Sequence, residues 1–397
     1  MIDLYDIIKS NGEPKAIIDY SVNQNGKKII FDFEEIMYLD NNLNLFINNQ
    51  KIKGNYLDIW QEHISRWKSE TKDNDIAALG FFSYDFKDLL YTDYDFNRKS
   101  SMNTPYFWFG KPKKTMDIDN YKYNFNYQKL KLTKDLDELK DFEDKINEIK
   151  KYLYSGEVYQ INYTQPIIFD FSGNPLDLYM QIKSIANPQY GFYLNIDNAQ
   201  FLSFSPEKFF TRKSNVIASY PIKGTISRLK NQDNKQIKKL SNSDKDKAEH
   251  LMIVDLLRND IGKIADFKSI KVKDLFSIKT FETIHHMETE IKGKLSPSIN
   301  EIDIFKSLFP GGSITGAPKY RAIQIIDELE EYSRGLYTGC IGHIMGSGDM
   351  DFNICIRTMS INNNTASFPV GGGVVWDSTA KNEKIEAHEK ANILRYQ

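Results

Sequence analysis

Short apolar runs broken by Asn, Asp and Gly fill residues 1 to about 130, and this punctuation limits the fold more than any other feature of the chain. Such runs are too short to cross a membrane as helices, and bounded by turn formers they read as β-strands. Ala16–Tyr20 and Lys28–Phe33 are two of them, and Ile76–Asp85 reads as a buried strand entering a turn. Leu57–Trp67 departs from the pattern, with apolar residues at helical spacing that leave His63 on the helix surface. The aromatic cluster Tyr106–Phe109 reads as core. No motif in this third of the chain names a reaction.

Composition narrows the class. A chain of 397 residues suffices for two ordinary domains or one large unit, and its 41% apolar and 27% charged content is that of a soluble globular protein. A net charge of −2 leaves no electrostatic footprint for nucleic acid or for an anionic membrane. The first residues, Met1 to Asp6, carry acids where a signal peptide is basic. The two cysteines, Cys340 and Cys355, each lie in an apolar stretch. That count excludes a disulfide framework or a zinc cluster and makes a reducing cytoplasm the simplest setting.

The second part of the chain, 131–397, opens with an amphipathic helix, with Leu136, Leu139, Phe142, Ile146, Ile149 and Leu153 on one face and Ser155-Gly156 as its end. Strands follow at Val158–Gln165, Tyr190–Leu194 and Gln200–Phe204, the last running into Ser205-Pro206-Glu207. A further strand, Asn215–Tyr220, meets Pro221, which cannot donate to a ladder. Gly224 permits a close turn, so Lys223 is expected on a tight loop at a strand end. A lysine there is either a solvent-facing turn residue or, if desolvated, a neutral nucleophile. Residues 227–247 are polar and mixed in charge, a solvated loop or helix face whose lysines run from Lys230 to Lys247.

Two acid pairs carry the chemistry that can be read from the residues. Asp246 and Glu249 are three apart and share a helix face, as do Glu383 and Glu386 near the C-terminus. Like charges on one face cost stability unless a cation or an ordered network joins them. Arg357, in an otherwise apolar strand, wants a carboxylate partner from protein or ligand. Gly371-Gly372-Gly373 lets a backbone approach something closely. Together these suggest one site for a divalent cation and an anionic substrate, and oxygen-only ligands favour Mg²⁺ over zinc. His285-His286 lacks the His-Glu-x-x-His spacing of zinc proteases, so one of the two is at most an acid/base or orienting group. Residues Phe309 to Lys319 form a Gly-rich loop before an amphipathic helix spanning Arg321 to Glu331. The spacing fails for a phosphate-binding loop, leaving a tight turn or a helix N-terminus that collects an anion.

These blocks together resemble the chorismate-utilising enzymes. That family includes component I of anthranilate synthase and of aminodeoxychorismate synthase, isochorismate synthase and salicylate synthase. The matching blocks, in family order, are SPEKFF, PIKGT, DKAEHLMIVDLLRND, His286 to Gly293, FPGGSITGAPK, RGLYTGCIG, Ile356-Arg357-Thr358, GGGVV and Glu383 to Ala391. They span about residues 155 to 397, and residues 1–130 match only loosely, around Gly80 to Asp85. The resemblance implies an α+β fold, the anthranilate synthase component I-like fold, with large antiparallel β-sheets packed together, helices outside and the site between them. It implies a β-rich N-terminal region, 1–130, packed on a chorismate-binding catalytic domain, 131–397. It also implies Glu249 and Glu386 as Mg²⁺ ligands with Asp246 and Glu383 in support. Tyr337, Arg357, Gly371, Gly372, Gly373 and Lys390 would bind substrate carboxylates, Thr225 and Thr315 would also bind substrate, and Thr338 and Ala317 would lie in pocket-forming blocks. His286 would lie near the ring, and Glu207 would be the acid that protonates the departing C4 hydroxyl.

Lys223 separates the subfamilies. Most members have a small residue in this motif, giving P-x-A-G-T, whereas aminodeoxychorismate synthases of one type carry PIKGT, as this chain does. Members that activate water have a lysine where this chain has Gln160, and glutamine cannot take a proton from water. The resemblance therefore implies amination of chorismate at C4 through a covalent Lys223 adduct. The product, 4-amino-4-deoxychorismate, is on the route to 4-aminobenzoate and folate. Ammonia would come from a separate glutamine amidotransferase subunit, since no Cys-His-Glu glutaminase block is present. No lyase domain follows before Gln397, so a separate lyase would make 4-aminobenzoate. The alternative enzyme is anthranilate synthase component I. A non-catalytic chorismate-binding subunit is the alternative of another class, and intact Glu207, Lys223, Glu249, Arg357 and Glu386 argue against it.

Overall fold

The computed structural model describes residues 2–20, 27–97, 103–118, 121–139, 141–197, 199–229, 232–280 and 284–394. Among them, all strands but one short parallel pair, Ile2–Asp3 with Tyr121–Lys122, join an antiparallel network that closes on itself. Helices lie outside it, giving an α+β fold of large antiparallel sheets. The N-terminal segment is woven into the same network. Ala16–Tyr20 pairs with Tyr190–Ile196, and Ile76–Phe82 pairs with Cys340–Met345. None of the described helices is long and apolar enough to cross a membrane.

Burial explains the apolar runs. Ile76–Phe82 is buried at every position and flanked by strands on both edges, so it has no polar face. Against this region packs the helix Tyr56–Glu70, started by the Asn55 side chain, which accepts from the Leu57 and Asp58 amides. Its buried residues Trp60, Ile64 and Trp67 recur at helical spacing, and Trp60 meets Phe82, Phe109 and Phe305. Truncating one such buried tryptophan costs about 3–5 kcal/mol, enough to matter against a net stability of about 5–15 kcal/mol. Tyr106–Phe109 is core as expected, and Cys340 and Cys355 are buried, unbridged thiols.

Several local expectations need correction. The amphipathic helix begins at Phe142 and ends at Tyr154; Leu136 sits in a separate 3₁₀ turn, Leu136–Glu138, and Leu139 follows it. The strand expected from Val158 begins at Gln160 and runs on to Asp170. Residues 227–247 need no correction in this respect, since Asp233–Ser241 is a helix, in keeping with a helix face there, while Lys230 lies outside the described residues. The RGLYTGCIG block is not one extended run: residues 335–338 turn, and the strand starts at Cys340. Arg357 lies between the strands Met350–Ile354 and Thr358–Asn362, with a left-handed backbone at φ 49°. Apolar neighbours made it look like a strand residue, but the chain must turn there to pass from one pairing partner to another.

The largest correction concerns Lys223. Pro221 does not end the sheet. The long strand Ile284–Lys294 pairs first with Val216–Ser219 and then with Ile222–Ser227, so one partner strand bridges the proline. Lys223 therefore sits inside a ladder, opposite Met287, and the register shifts at Gly224, whose φ is +70°. This is a β-bulge, and a left-handed backbone there favours glycine.

Candidate active site

Two helices and two strands present most of the predicted residues to one place. The helix Asp244–Gly262, capped by Ser243, carries Asp246 and Glu249. The helix Ala380–Ala391, capped by Thr379, carries Glu383, Glu386 and Lys390. Between them lie Lys223 on its bulged strand and Gly371-Gly372-Gly373 on Thr365–Val374, which pairs with Gln160–Asp170. The fields of Glu249, Glu207, Lys390 and Glu386 all reach Lys223, so these groups form one cluster.

Burial dominates its electrostatics. It pushes Lys223 below the usual lysine range, against the attraction of Glu249 and Glu207. It lifts Glu207 to about 7, although Ser313 and Lys223 pull the other way. Glu207 is 7% exposed and accepts a 2.7 Å hydrogen bond from the Ser313 hydroxyl at Oε1. Burial, with Asp246 and Glu386 nearby, also raises Glu249. Glu383 is raised by burial and by Glu386, against a hydrogen bond from Ser378. Burial opposes ionisation of Glu386 too, but Lys390 and Lys223 outweigh it and hold Glu386 below the usual carboxylate range. A lysine moved down beside a glutamic acid moved up is the arrangement that makes a nucleophile and a proton donor available together.

Fit to a divalent cation can be judged from the carboxylates. Among the described residues no three His, Cys, Asp or Glu side chains converge as a ready-made metal cage. Mg²⁺ does not require one, because it is commonly held by one or two carboxylates with water and substrate completing the shell. The buried Glu383 Oε2 lacks any hydrogen-bond partner. A Cβ on Gly372 would lie 3.1 Å from both Glu383 Oε2 and Glu386 Oε1, so the glycine keeps that side of the carboxylate pair open. Asp246 packs against Gly224, next to Lys223, and its charge reaches Glu249. The oxygen-only set of Glu249, Glu386 and Glu383 fits magnesium.

The anion-binding candidates differ in how free they are. Burial presses the Arg357 guanidinium below its usual range, and no carboxylate pairs with it among the described residues. The Tyr337 hydroxyl, in a residue 5% exposed, also makes no hydrogen bond there. Lys390 donates to Gly371 O at 2.6 Å and to Glu386 Oε1 at 2.7 Å, which leaves one of its three donors. Thr315 is fully buried and donates to Gly311 O at 2.9 Å, bracing its own loop. Thr225 is exposed and lies across the ladder from buried His286, one rung past the Lys223–Met287 pair. His286 Nε2 is 3.7 Å from Glu288 Oε2. Lys319, at the start of the Lys319–Leu329 helix, does not await an anion; it donates to Asp260 and to Leu308 O.

Sequence reasoning missed three features. Ser313 belongs to a recognised block, but nothing in its spacing points at Glu207. His250 follows Glu249, is fully buried, and has Nε2 2.7 Å from Thr289 Oγ1. Burial and then the charge of Lys223 push it down to about 4, so it is neutral at pH 7. The third is a buried ion pair, Arg334–Glu330, at 2.7 Å. Arg334 also donates to Asn162 O and Ile314 O, joining the Gln160–Asp170 strand to the Gly-rich loop. An i, i+4 acid–arginine spacing was the available signal. Gln160 was singled out, and it is fully buried with neither side-chain oxygen nor nitrogen hydrogen-bonded.

The chain is 40% identical over 253 residues to aminodeoxychorismate synthase component 1 of Escherichia coli (strain K12), covering 63% of this chain and 56% of that protein. It is 35% identical over 281 residues to anthranilate synthase component 1 of Saccharolobus solfataricus, covering 70% and 65%. The aligned part is thus a little over half the length of the first of these relatives. Among solved structures, anthranilate synthase component I from Streptococcus pneumoniae TIGR4 superposes with a TM-score of 0.83 at 25% identity, over 95% of this chain and 93% of that one. The model of the chorismate binding enzyme family matches residues 128–396, more than half of the chain and every residue of the cluster around Lys223, and the chain belongs to that family.

Proposed function

We propose that this chain aminates chorismate at C4, using ammonia, to give 4-amino-4-deoxychorismate. The observation that carries the reading is the pairing of Lys223, pressed toward its neutral form, with Glu207, lifted to about 7. Arg357, Tyr337 and the remaining Lys390 donor are the groups available for the substrate carboxylates. Glu249 and Glu386, supported by Glu383 and Asp246, would hold magnesium. When bound, the ion supplies positive charge to neutralise the ring carboxylate.

The residues then act in order. Neutral Lys223 Nζ attacks C2, the conjugated diene shifts, and the C4–O bond breaks as Glu207 gives its proton to the hydroxyl, which leaves as water. Ammonia attacks C4, the diene shifts back, and the C2–N bond breaks to release Lys223 as the free amine. The Glu207 carboxylate recovers a proton from the new C4 ammonium. The sum is chorismate plus ammonia to aminodeoxychorismate plus water. Gln160, which cannot act as a base toward water, supports ammonia over water as the second nucleophile. The name "component 1" borne by the relatives supports a partner subunit, here one that releases ammonia from glutamine.

Product identification tests the reading. The purified chain with chorismate, Mg²⁺ and ammonium should form a product that becomes 4-aminobenzoate only when a lyase is added. Glutamine should replace ammonium only with an added amidotransferase subunit. Fluorescent anthranilate without any lyase would instead identify C2 amination and sink the proposal.

A further inference from the structure

Glu207 and Ser313 come from different parts of the fold, yet they meet inside it. Glu207 leaves the Ala199–Ser205 strand, and Ser313 sits in the 3₁₀ turn Gly312–Ile314 of the Gly-rich loop. Both are nearly buried, at 7% and 8% exposure. The Ser313 hydroxyl lies 2.7 Å from Glu207 Oε1 and has no other partner among the described residues. Glu207 Oε2 has none either. The Glu207 backbone is held separately, its amide by Ser205 Oγ and its carbonyl by the Ile354 amide.

We infer that Ser313 is a positioning residue that directs the acidic proton of Glu207 onto Oε2, the oxygen left for the substrate. A serine hydroxyl has one proton to donate, and here one acceptor to give it to. With Oε1 accepting that bond, a neutral Glu207 carries its own proton on Oε2. Reversing the bond would leave the serine proton buried without an acceptor, which is costly. The same bond favours the ionised carboxylate, opposing the effect of burial. Ser313 therefore keeps Glu207 near neutrality, where a proton donor works best at physiological pH. Lys223, from the bulged strand, is the ionisable group whose field reaches Glu207; Lys208, the next residue, turns away to Asp351 and the rings of Tyr20 and Tyr190.

The test is an infrared titration of the Glu207 carboxylic acid band in the full chain without substrate, assigned by its disappearance in Glu207→Gln. In Ser313→Ala the midpoint should move up by about one pH unit, the size expected for one hydrogen bond to a charged group. Ser313→Thr, which keeps the hydroxyl, should restore it. Chorismate turnover in Ser313→Ala should fall about tenfold or more in kcat with little change in KM, as for lost proton-transfer geometry. An unmoved midpoint in Ser313→Ala, or a threonine variant that behaves like alanine, overturns the inference. The turnover readout rests on the proposed amination, but the titration does not. A shifted midpoint in a chain that fails to aminate chorismate would reject the function and keep the Ser313 role, whereas amination with an unmoved midpoint would do the reverse.

Discussion

Replacing Glu207 with glutamine should weaken catalysis and strengthen the fold. Glutamine has nearly the same shape and keeps an acceptor for Ser313, but it carries neither the acidic proton nor the buried charge. The ordinary glutamate value is 4.5 and burial lifts Glu207 to about 7. The folded state therefore binds this proton more tightly than the unfolded chain. Such a group costs stability as pH rises through the window from 4.5 to 7, and the cost is then fully present. Linkage over that shift gives about 3 kcal/mol at pH 8 and about 1 kcal/mol at pH 5. For a chain of this size, 1 kcal/mol corresponds to roughly 1 °C in Tm. Glu207→Gln should thus raise Tm by about 3–4 °C at pH 8 and by about 1 °C at pH 5. Loss of the proton donor should slow chorismate turnover by about 10²–10⁴-fold. Calorimetric scans at the two pH values, with turnover followed by chorismate absorbance, check both halves. An equal Tm change at pH 5 and pH 8, or a loss at pH 8, would refute the claim that burial outweighs the attraction of Lys223.

Lys223→Ala should lose the C4-aminated product by at least about 10³-fold, as when a covalent nucleophile is removed, with residual nitrogen diverted to C2; undiminished aminodeoxychorismate would remove Lys223 from the chemistry. Gly372→Ala should crowd Glu383 and Glu386, whose oxygens would lie 3.1 Å from the new Cβ, and raise the Mg²⁺ concentration for half-maximal turnover by about 10–100-fold. An unchanged magnesium titration would detach those carboxylates from the metal.

Legibility followed the range of the interaction. The acid pairs were visible because helical spacing is local: Asp246 with Glu249 and Glu383 with Glu386 need only their own helices to share a face. The buried strand at Ile76–Phe82 announced itself through an uninterrupted apolar run. Lys223 was misplaced for the opposite reason. Pro221 signals a break locally, and only the distant strand Ile284–Lys294 spans that break and keeps Lys223 in a ladder. Arg357 failed likewise, since its left-handed backbone reflects a change of partner strand rather than any local breaker. Ser313 and Glu207 stand 106 positions apart and meet only through the folded loop, so no spacing rule could join them.

The corrected place of Lys223 makes the proposed chemistry easier to account for. On an exposed loop, a lysine near 10.5 beside a glutamate near 4.5 would stay ionised as a pair, favoured by about 8 kcal/mol over the neutral couple. A nucleophile and a proton donor both need the neutral forms. Raising Glu207 to about 7 removes about 3 kcal/mol of that gap, and lowering Lys223 removes more. The strand holds the partly buried Lys223 within reach of the Glu207 charge, and the bulge at Gly224 interrupts the ladder beside the lysine without ending it. A loop would offer Lys223 the same neighbours only intermittently, and water would restore the ionised pair. In the proposed chemistry the ladder would be part of the catalytic device, because it fixes Lys223 where desolvation favours its free amine.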